Sequence, residues 1–221
     1  MTALTFTLKK NLPFKVNCSN LTPNKLAGLS IEKIQEITLN NNNNVIDLFE
    51  IKGSDYENII FKNSNEQLDY IGHKMTRGQV TIEGNCGDFL GANMQGGTII
   101  CHGNAHDRVG DLMRRGLILV EGNSGDYCGS RMIAGTIGIY GKVGKYVGFS
   151  MKRGSILLKT PAELHATLQN CGAHTLPFLS LLLSSFKPFS TSFNKVKSNR
   201  IQRYAGDLAC NGNGEILIFL D

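Results

Sequence analysis

Apart from Met1, the methionines of this chain keep one interval: Met75, Met94, Met113, Met132 and Met151 stand 19 residues apart. Glycines keep the same interval. Gly78, Gly97, Gly116, Gly135 and Gly154 follow the methionines by three residues, Gly84, Gly103, Gly122 and Gly141 by nine, and Gly91, Gly110, Gly129 and Gly148 by sixteen. Nineteen of the 25 glycines lie between positions 72 and 154, so the glycine content belongs to the repeat and not to a flexible linker. A fixed period of this length restricts the chain to repeat architectures, in which each unit packs only on its neighbours.

Each unit reads M-x-x-G-x-β-x-β-x-G-x-x-G-x-x-x-G. The β positions are Val80/Ile82, Ile99/Cys101, Ile118/Val120, Ile137/Ile139 and Ile156/Leu158. Positions two apart share one face of a strand, and glycines at the strand ends mark corners where a Cβ would clash. The expected fold class is therefore mainly β: a single-stranded, right-handed β-solenoid (β-helix) of 19-residue glycine-rich coils, with short flanking helices and terminal strands. Coils would stack at about 4.8 Å, with the methionines as an internal column. His106 interrupts a column otherwise held by Gly87, Gly125 and Gly144. An atypical coil, 58–63 through 70–72, precedes the array in register and is expected to cap it.

Three segments follow from this reading: a small α+β element over 1–57, the repeat array over 58–159, and a helical segment with a terminal strand pair over 160–221. In the first, Thr5–Leu8 alternates as a strand. Ser30–Leu39 has the pattern of a short helix capped by Ser30, the five asparagines from Asn40 to Asn44 read as a loop, and Val45–Ile51 reads as a strand. After the array, Thr160-Pro-Ala-Glu163 predicts a helix to about Gln169. A second helix is predicted from about Pro177, and the tail predicts two strands around Asn211–Gly214.

Hydrophobic residues make up 41% of the 221 and charged residues 19%, which is the balance of a globular protein. The net charge of +5 permits an acidic partner without demanding one, and no nucleic-acid motif accompanies it. Met1–Lys10 lacks the basic-then-apolar order of a signal peptide. The longest apolar stretch, Leu176–Phe186, falls short of the roughly 20 residues that span a bilayer. Six cysteines with no C-x-x-C pair read as reduced thiols. A cytoplasmic protein without membrane contact is the expectation.

The residues offer little catalytic chemistry. No G-x-S-x-G elbow, Walker loop or dinucleotide fingerprint is present. His73, His102 and His106 lie near one edge, yet they occupy different columns of the repeat, which argues against a shared metal. No catalytic, cofactor-binding or metal residue is assigned on these grounds. Two columns point to docking instead. Arg77, Arg115 and Arg153 recur in alternate coils, either as a solvated edge or as a stripe for acidic groups. The outward strand position carries Ile100, Leu119 and Leu157, which require a cover, either the chain's own flanks or another protein. Phe178, Leu182 and Phe186 of the second helix are further docking candidates, because that helix is apolar nearly all round.

The repeat resembles the glycine-rich domain shared by the large subunit of glutamate synthase and the C subunit of formylmethanofuran dehydrogenase. The flanks favour the second: "GAHTLPFLSLLLSSF" (172–186) and "RYAGDLACNGNGEILIF" (203–219) are similar to the C-terminal signature of that C subunit. The resemblance covers roughly 60–219. It implies a scaffold subunit of a formylmethanofuran dehydrogenase or of the bacterial formyltransferase/hydrolase complex, in one-carbon metabolism. It also implies that the methanofuran-type carrier and the metal sites reside in partner subunits, this chain binding no cofactor of its own. The arginine column would then meet acidic partner residues or an acidic carrier tail. The alternatives are a glutamate-synthase-like domain protein and a stand-alone metal-dependent enzyme of the hexapeptide-repeat type. The hexapeptide architecture repeats every 18 residues, against 19 here.

Overall fold

The structure is a computed structural model that describes residues 2–40 and 43–220. Strand β1 (Ala3–Leu8) buries Leu4, Phe6 and Leu8, as its alternation requires. A short strand β2 (Val16–Asn17) and helix α1 (Pro23–Leu26) lead to α2 (Ile31–Gln35), where the Ser30 hydroxyl accepts the Lys33 amide as N-cap. This helix is shorter than the expected 30–39, because β3 (Thr38–Asn40) pairs with β4 (Asn43–Asn44). Asn41 and Asn42, in the middle of the expected asparagine loop, lie outside the described residues. The expected strand over 45–51 is also corrected. Asp47 accepts the Asn44 amide at 2.7 Å and starts helical turn α3 (Val45–Leu48), so that only β5 (Phe49–Lys52) is extended.

Next come β6 (Asp55–Lys62), β7 (Leu68–Asp69) and the five strands of the repeat: β8 (Gln79–Ile82), β9 (Thr98–Cys101), β10 (Leu117–Val120), β11 (Thr136–Ile139) and β12 (Ser155–Leu158). The helix expected from Thr160 does not form. The Thr160 hydroxyl donates to the Tyr140 carbonyl at 3.3 Å and the Lys159 amide to Ile139, so the chain is still held along the array where a helix would have to turn away. It continues into β13 (Gln169–Thr175), α4 (Phe178–Ser185), β14 (Arg200–Gly206) and β15 (Gly214–Phe219).

Eleven of these strands form one sheet in the order β13-β14-β15-β12-β11-β10-β9-β8-β6-β1-β5. This corrects the expected fold class. The molecule is not a closed, self-contained β-solenoid but a large open mixed sheet. The physical reason lies in the strands themselves. Each repeat supplies a single four-residue strand, and the edges of the array are continued by flanking strands with the same buried pattern. On one side Ile59 and Phe61 pair with Val80 and Ile82, followed by Leu4 and Phe6. On the other, Ile216 and Ile218 of β15 pair with Ile156 and Leu158, after an insertion that holds β13, α4 and β14. Strands β5 and β14 then run antiparallel.

Within the array, Ile99, Ile118, Ile137 and Ile156 stand opposite one another in parallel register, and all four are fully buried. The five methionines are equally buried. The close stacking explains the first glycine column: a Cβ on Gly97, Gly116, Gly135 or Gly154 would lie 2.6–2.8 Å from the Cε of the methionine one unit back. The second column is the floor for isoleucine, a Cβ on Gly91, Gly110 or Gly129 falling 2.4 Å from the Cδ1 of Ile118, Ile137 or Ile156.

Candidate functional surfaces

Three surfaces of the sheet carry the residues singled out from sequence. The outer face is the first. Ile100, Leu119 and Leu157 are buried under the chain's own C-terminal segment, in a second core with Leu179, Leu183, Phe186, Phe193, Val196, Ile201 and Leu217. Their cover is therefore internal, and they are not docking residues. The same holds for Phe186, which is 1% exposed, whereas Leu182 is half-buried and Phe178 remains 45% exposed. Gly138 interrupts the aliphatic residues of the outward column between Leu119 and Leu157. A Cβ there would meet Leu119 Cδ2 at 2.8 Å and Phe193 Cζ at 2.9 Å, so the glycine forms the slot that receives the Phe193 ring.

A polar clamp holds this cover down. Glu121 Oε2 lies 2.8 Å from His102 Nδ1, and its Oε1 accepts the Ser192 amide at 2.5 Å, one residue before Phe193. Burial pushes the Glu121 carboxyl up, but the hydrogen bonds from His102 and Ser192 outweigh it and hold the carboxyl below its ordinary value. A depressed carboxylate contributes stability above its unfolded value and loses it as pH falls through the folded value. The expected result is that Glu121→Gln lowers stability by about 1–3 kcal/mol at neutral pH. The gap to the parent chain should narrow as pH falls below the ordinary glutamate range and through the depressed folded value. Urea denaturation across pH 3–7 checks this.

The second surface is an edge made of side-chain ladders with the same 19-residue step. Asp69, Asp88 and Asp107 each accept the backbone amide of the next aspartate through Oδ1, at 2.8, 3.1 and 2.8 Å, and Asp126 accepts the Lys145 amide at 2.7 Å. Asn85, Asn104 and Asn123 do the same for Asn104, Asn123 and Lys142. Beside the aspartates, Tyr70 stacks on Phe89 at 4.6 Å and Tyr127 on Tyr146 at 4.9 Å, with the Arg108 guanidinium 4.8 Å from the Tyr127 ring centre and 5.8 Å from that of Phe89. Sequence reasoning missed all three ladders, although the signal was present: 69, 88, 107, 126, then 85, 104, 123, and 70, 89, 108, 127, 146 are counted by the same interval as the methionines.

The three histidines are not brought together. His73 packs edge-on against Tyr70, His102 meets Glu121, and His106 meets Asp88 at 2.8 Å. Among the described residues, the group that could hold a metal ion is Asp88, His106 and Asp107, with ligand atoms within 4.8 Å of one another. Both carboxylates already serve the ladder. The thiols are free, and burial pushes Cys128 up to about 12. A cavity of about 240 Å³ opens at the end of the aromatic ladder, lined by Lys145, Tyr146, Glu163, Leu164 and His165.

The third surface is the arginine edge. Arg77 is engaged by Glu57 at 2.9 Å, whereas Arg115 and Arg153 are exposed and, among the described residues, form no ion pair. No helix among the described residues is long and apolar enough to cross a membrane.

No protein-family model matches the chain. Among curated proteins, it is 32% identical over 96 residues to the C subunit of the tungsten-containing formylmethanofuran dehydrogenase 2 of Methanococcus maripaludis, covering 41% of this chain and 35% of that one. It is 30% identical over 89 residues to the C subunit of the formyltransferase/hydrolase complex Fhc of Methylorubrum extorquens, covering 39% and 34%. The matched stretch thus spans about a third of the length of these curated relatives. Among solved structures, a chain of the formyltransferase/hydrolase complex (FhcABCD) from Methylorubrum extorquens, crystallised in complex with methylofuran, superposes with a TM-score of 0.67 at 30% identity. That superposition covers 98% of this chain and 100% of the other.

Proposed function

We propose that this chain, which belongs to the family formed by the C subunits of formylmethanofuran dehydrogenase and of the formyltransferase/hydrolase complex, is a scaffold subunit of a cytoplasmic complex that transfers, oxidises or hydrolyses formyl groups carried on a methanofuran-type molecule. The chemistry and its metal sites reside on the other subunits. The observation that carries this reading is the likeness over the full length to one chain of a multi-subunit complex. The use of the titratable residues supports it. The aspartates of the ladder hold backbone amides, and the His102–Glu121 pair holds the C-terminal cover. These groups build the sheet, and none is left poised beside a nucleophile. Arg115 and Arg153 form a free basic stripe for acidic partner residues or an acidic carrier tail.

Reconstitution tests the scaffold role. The assembled complex should turn over formyl-carrier substrate, omission of this chain should abolish or sharply reduce turnover, and the chain alone should show none. Formyl transfer or hydrolysis by the isolated chain would contradict the proposal.

A further inference from the structure

The aromatic ladder beside the aspartates stops one rung short. Its column, Tyr70, Phe89, Arg108, Tyr127 and Tyr146, reaches His165 at the next step of the same interval, so planar side chains continue in sequence register to the end of the array. The first five stack: Tyr70 on Phe89 at 4.6 Å, the Arg108 guanidinium over the rings of Phe89 and Tyr127, and Tyr127 on Tyr146 at 4.9 Å. His165 does not join them. Its Nδ1 lies 2.7 Å from the Thr167 hydroxyl, and the Leu168 amide donates to its carbonyl in a turn that leaves the array. Among the described rings it meets Phe149, at 6.2 Å, and not Tyr146.

The place of the absent rung is open. The cavity of about 240 Å³ is lined by Lys145 and Tyr146 from one unit and by Glu163, Leu164 and His165 from the stretch one period further on. One face of the Tyr146 ring is taken by Tyr127, yet the residue is still 44% exposed, and Phe149, edge-on to it at 6.4 Å, is 43% exposed. Two neighbouring columns change chemistry at the same level. Lys145 follows the aspartates 69, 88, 107 and 126, and Glu163 follows Gly125 and Gly144. Both are exposed and, among the described residues, neither forms an ion pair. An open ring face that shares one cavity with an ammonium and a carboxylate is complementary to a flat ring with N–H donors on its edge and an anionic substituent.

We infer that this cavity binds a planar heteroaromatic anion of the guanine nucleotide type. The base stacks on Tyr146 in the place that His165 leaves, its N–H edge donates to the Glu163 carboxylate, and its phosphate meets Lys145. Arg108 is the internal precedent, a flat nitrogen-bearing group held against two rings of the same column. The formyl-transfer reading does not require this site, so the two can fail separately.

Guanosine monophosphate titrated against the full chain, followed through the proton resonances of its base, provides the test. Saturable binding should come with an upfield shift of those resonances, because a base stacked on Tyr146 lies in the ring current of the phenol. Tyr146→Ala should weaken binding at least about tenfold and abolish the shift, while Tyr146→Phe keeps both. Lys145→Gln should weaken the nucleotide and leave guanosine unchanged, whereas Glu163→Gln should weaken both. Ribose phosphate, which lacks the base, should bind at least about tenfold more weakly than the nucleotide. Lys145, Tyr146 and Glu163 are all exposed, so the variants should retain their fold, which circular dichroism verifies. If Tyr146→Ala alone does not fold, the arms at Lys145 and Glu163 decide. No saturable binding at millimolar nucleotide, equal binding by Tyr146→Ala, guanosine and nucleotide weakened alike by Lys145→Gln, no weakening by Glu163→Gln, or ribose phosphate binding as tightly as the nucleotide would overturn the inference.

Discussion

Replacing Phe193 with alanine is expected to lower stability by about 3–5 kcal/mol, a fall of roughly 10 °C in Tm for a chain of this size. The ring is fully buried, stands edge-on to Tyr140 at 5.6 Å and to Phe186 at 5.9 Å, and fills the slot left by Gly138. Its loss leaves a cavity lined on one side by the sheet and on the other by the C-terminal cover, which cannot collapse without breaking the Glu121–Ser192 hydrogen bond. The slot also predicts the sign of a coupling. Gly138→Leu alone should destabilise by about 1–3 kcal/mol through overpacking against Phe193 and Leu119. In the Phe193→Ala background the same substitution places a leucine in the vacated volume, as Leu119 and Leu157 do in neighbouring strands, and should cost less or stabilise. A favourable interaction energy of about 1–3 kcal/mol in the double-mutant cycle is the expected result, measured by urea denaturation. Additive effects would show that ring and slot do not meet.

Gly116→Ala is expected to cost at least about 3 kcal/mol, and Gly116→Val to prevent folding or to exceed that loss. Two terms add. The residue sits at φ +110°, where an L side chain is strained. Its Cβ would also lie 2.8 Å from Met94 Cε and 2.8 Å from the Gly97 carbonyl oxygen, of which only the methionine can move. Gly28 supplies the comparison. It too has positive φ, +80°, but nothing lies within 4 Å of its Cβ direction. Gly28→Ala should therefore carry the backbone term alone, about 1–2 kcal/mol. The difference between the two alanine variants measures what stacking one unit on the next requires of the glycine column, and thermal denaturation reads it directly.

The array was legible because stacking forces like residues into like positions. The spacing alone marks Val80, Ile99, Ile118, Ile137 and Ile156 as one buried column, and the strands place them opposite one another. What the period could not reveal was where the sheet ends. Leu4 and Phe6, and Ile216 and Ile218, extend the same two buried columns without belonging to the repeat, β15 returning only after the insertion. The period therefore implies a self-contained coil stack, where the molecule is an open mixed sheet. The helix expected at Thr160 failed for a similar reason. Its capping pattern is local, whereas the Lys159 amide and the Thr160 hydroxyl are claimed by Ile139 and Tyr140, about twenty residues earlier in sequence. On the functional side, the need for a cover over Ile100, Leu119 and Leu157 was legible, but not its source. The ladder aspartates were harder to see than the histidines and cysteines, because they cap backbone amides and belong to no motif of metal or nucleophilic chemistry.

The claim on which the functional account stands is that the chain works within a larger assembly. Native mass spectrometry of the affinity-tagged chain, isolated at low ionic strength from cells that produce it at its normal level, tests this most directly. The account predicts a stoichiometric hetero-oligomer that contains the formyl-transferring or formyl-oxidising subunits. A chain recovered only as a free monomer or homo-oligomer would contradict it.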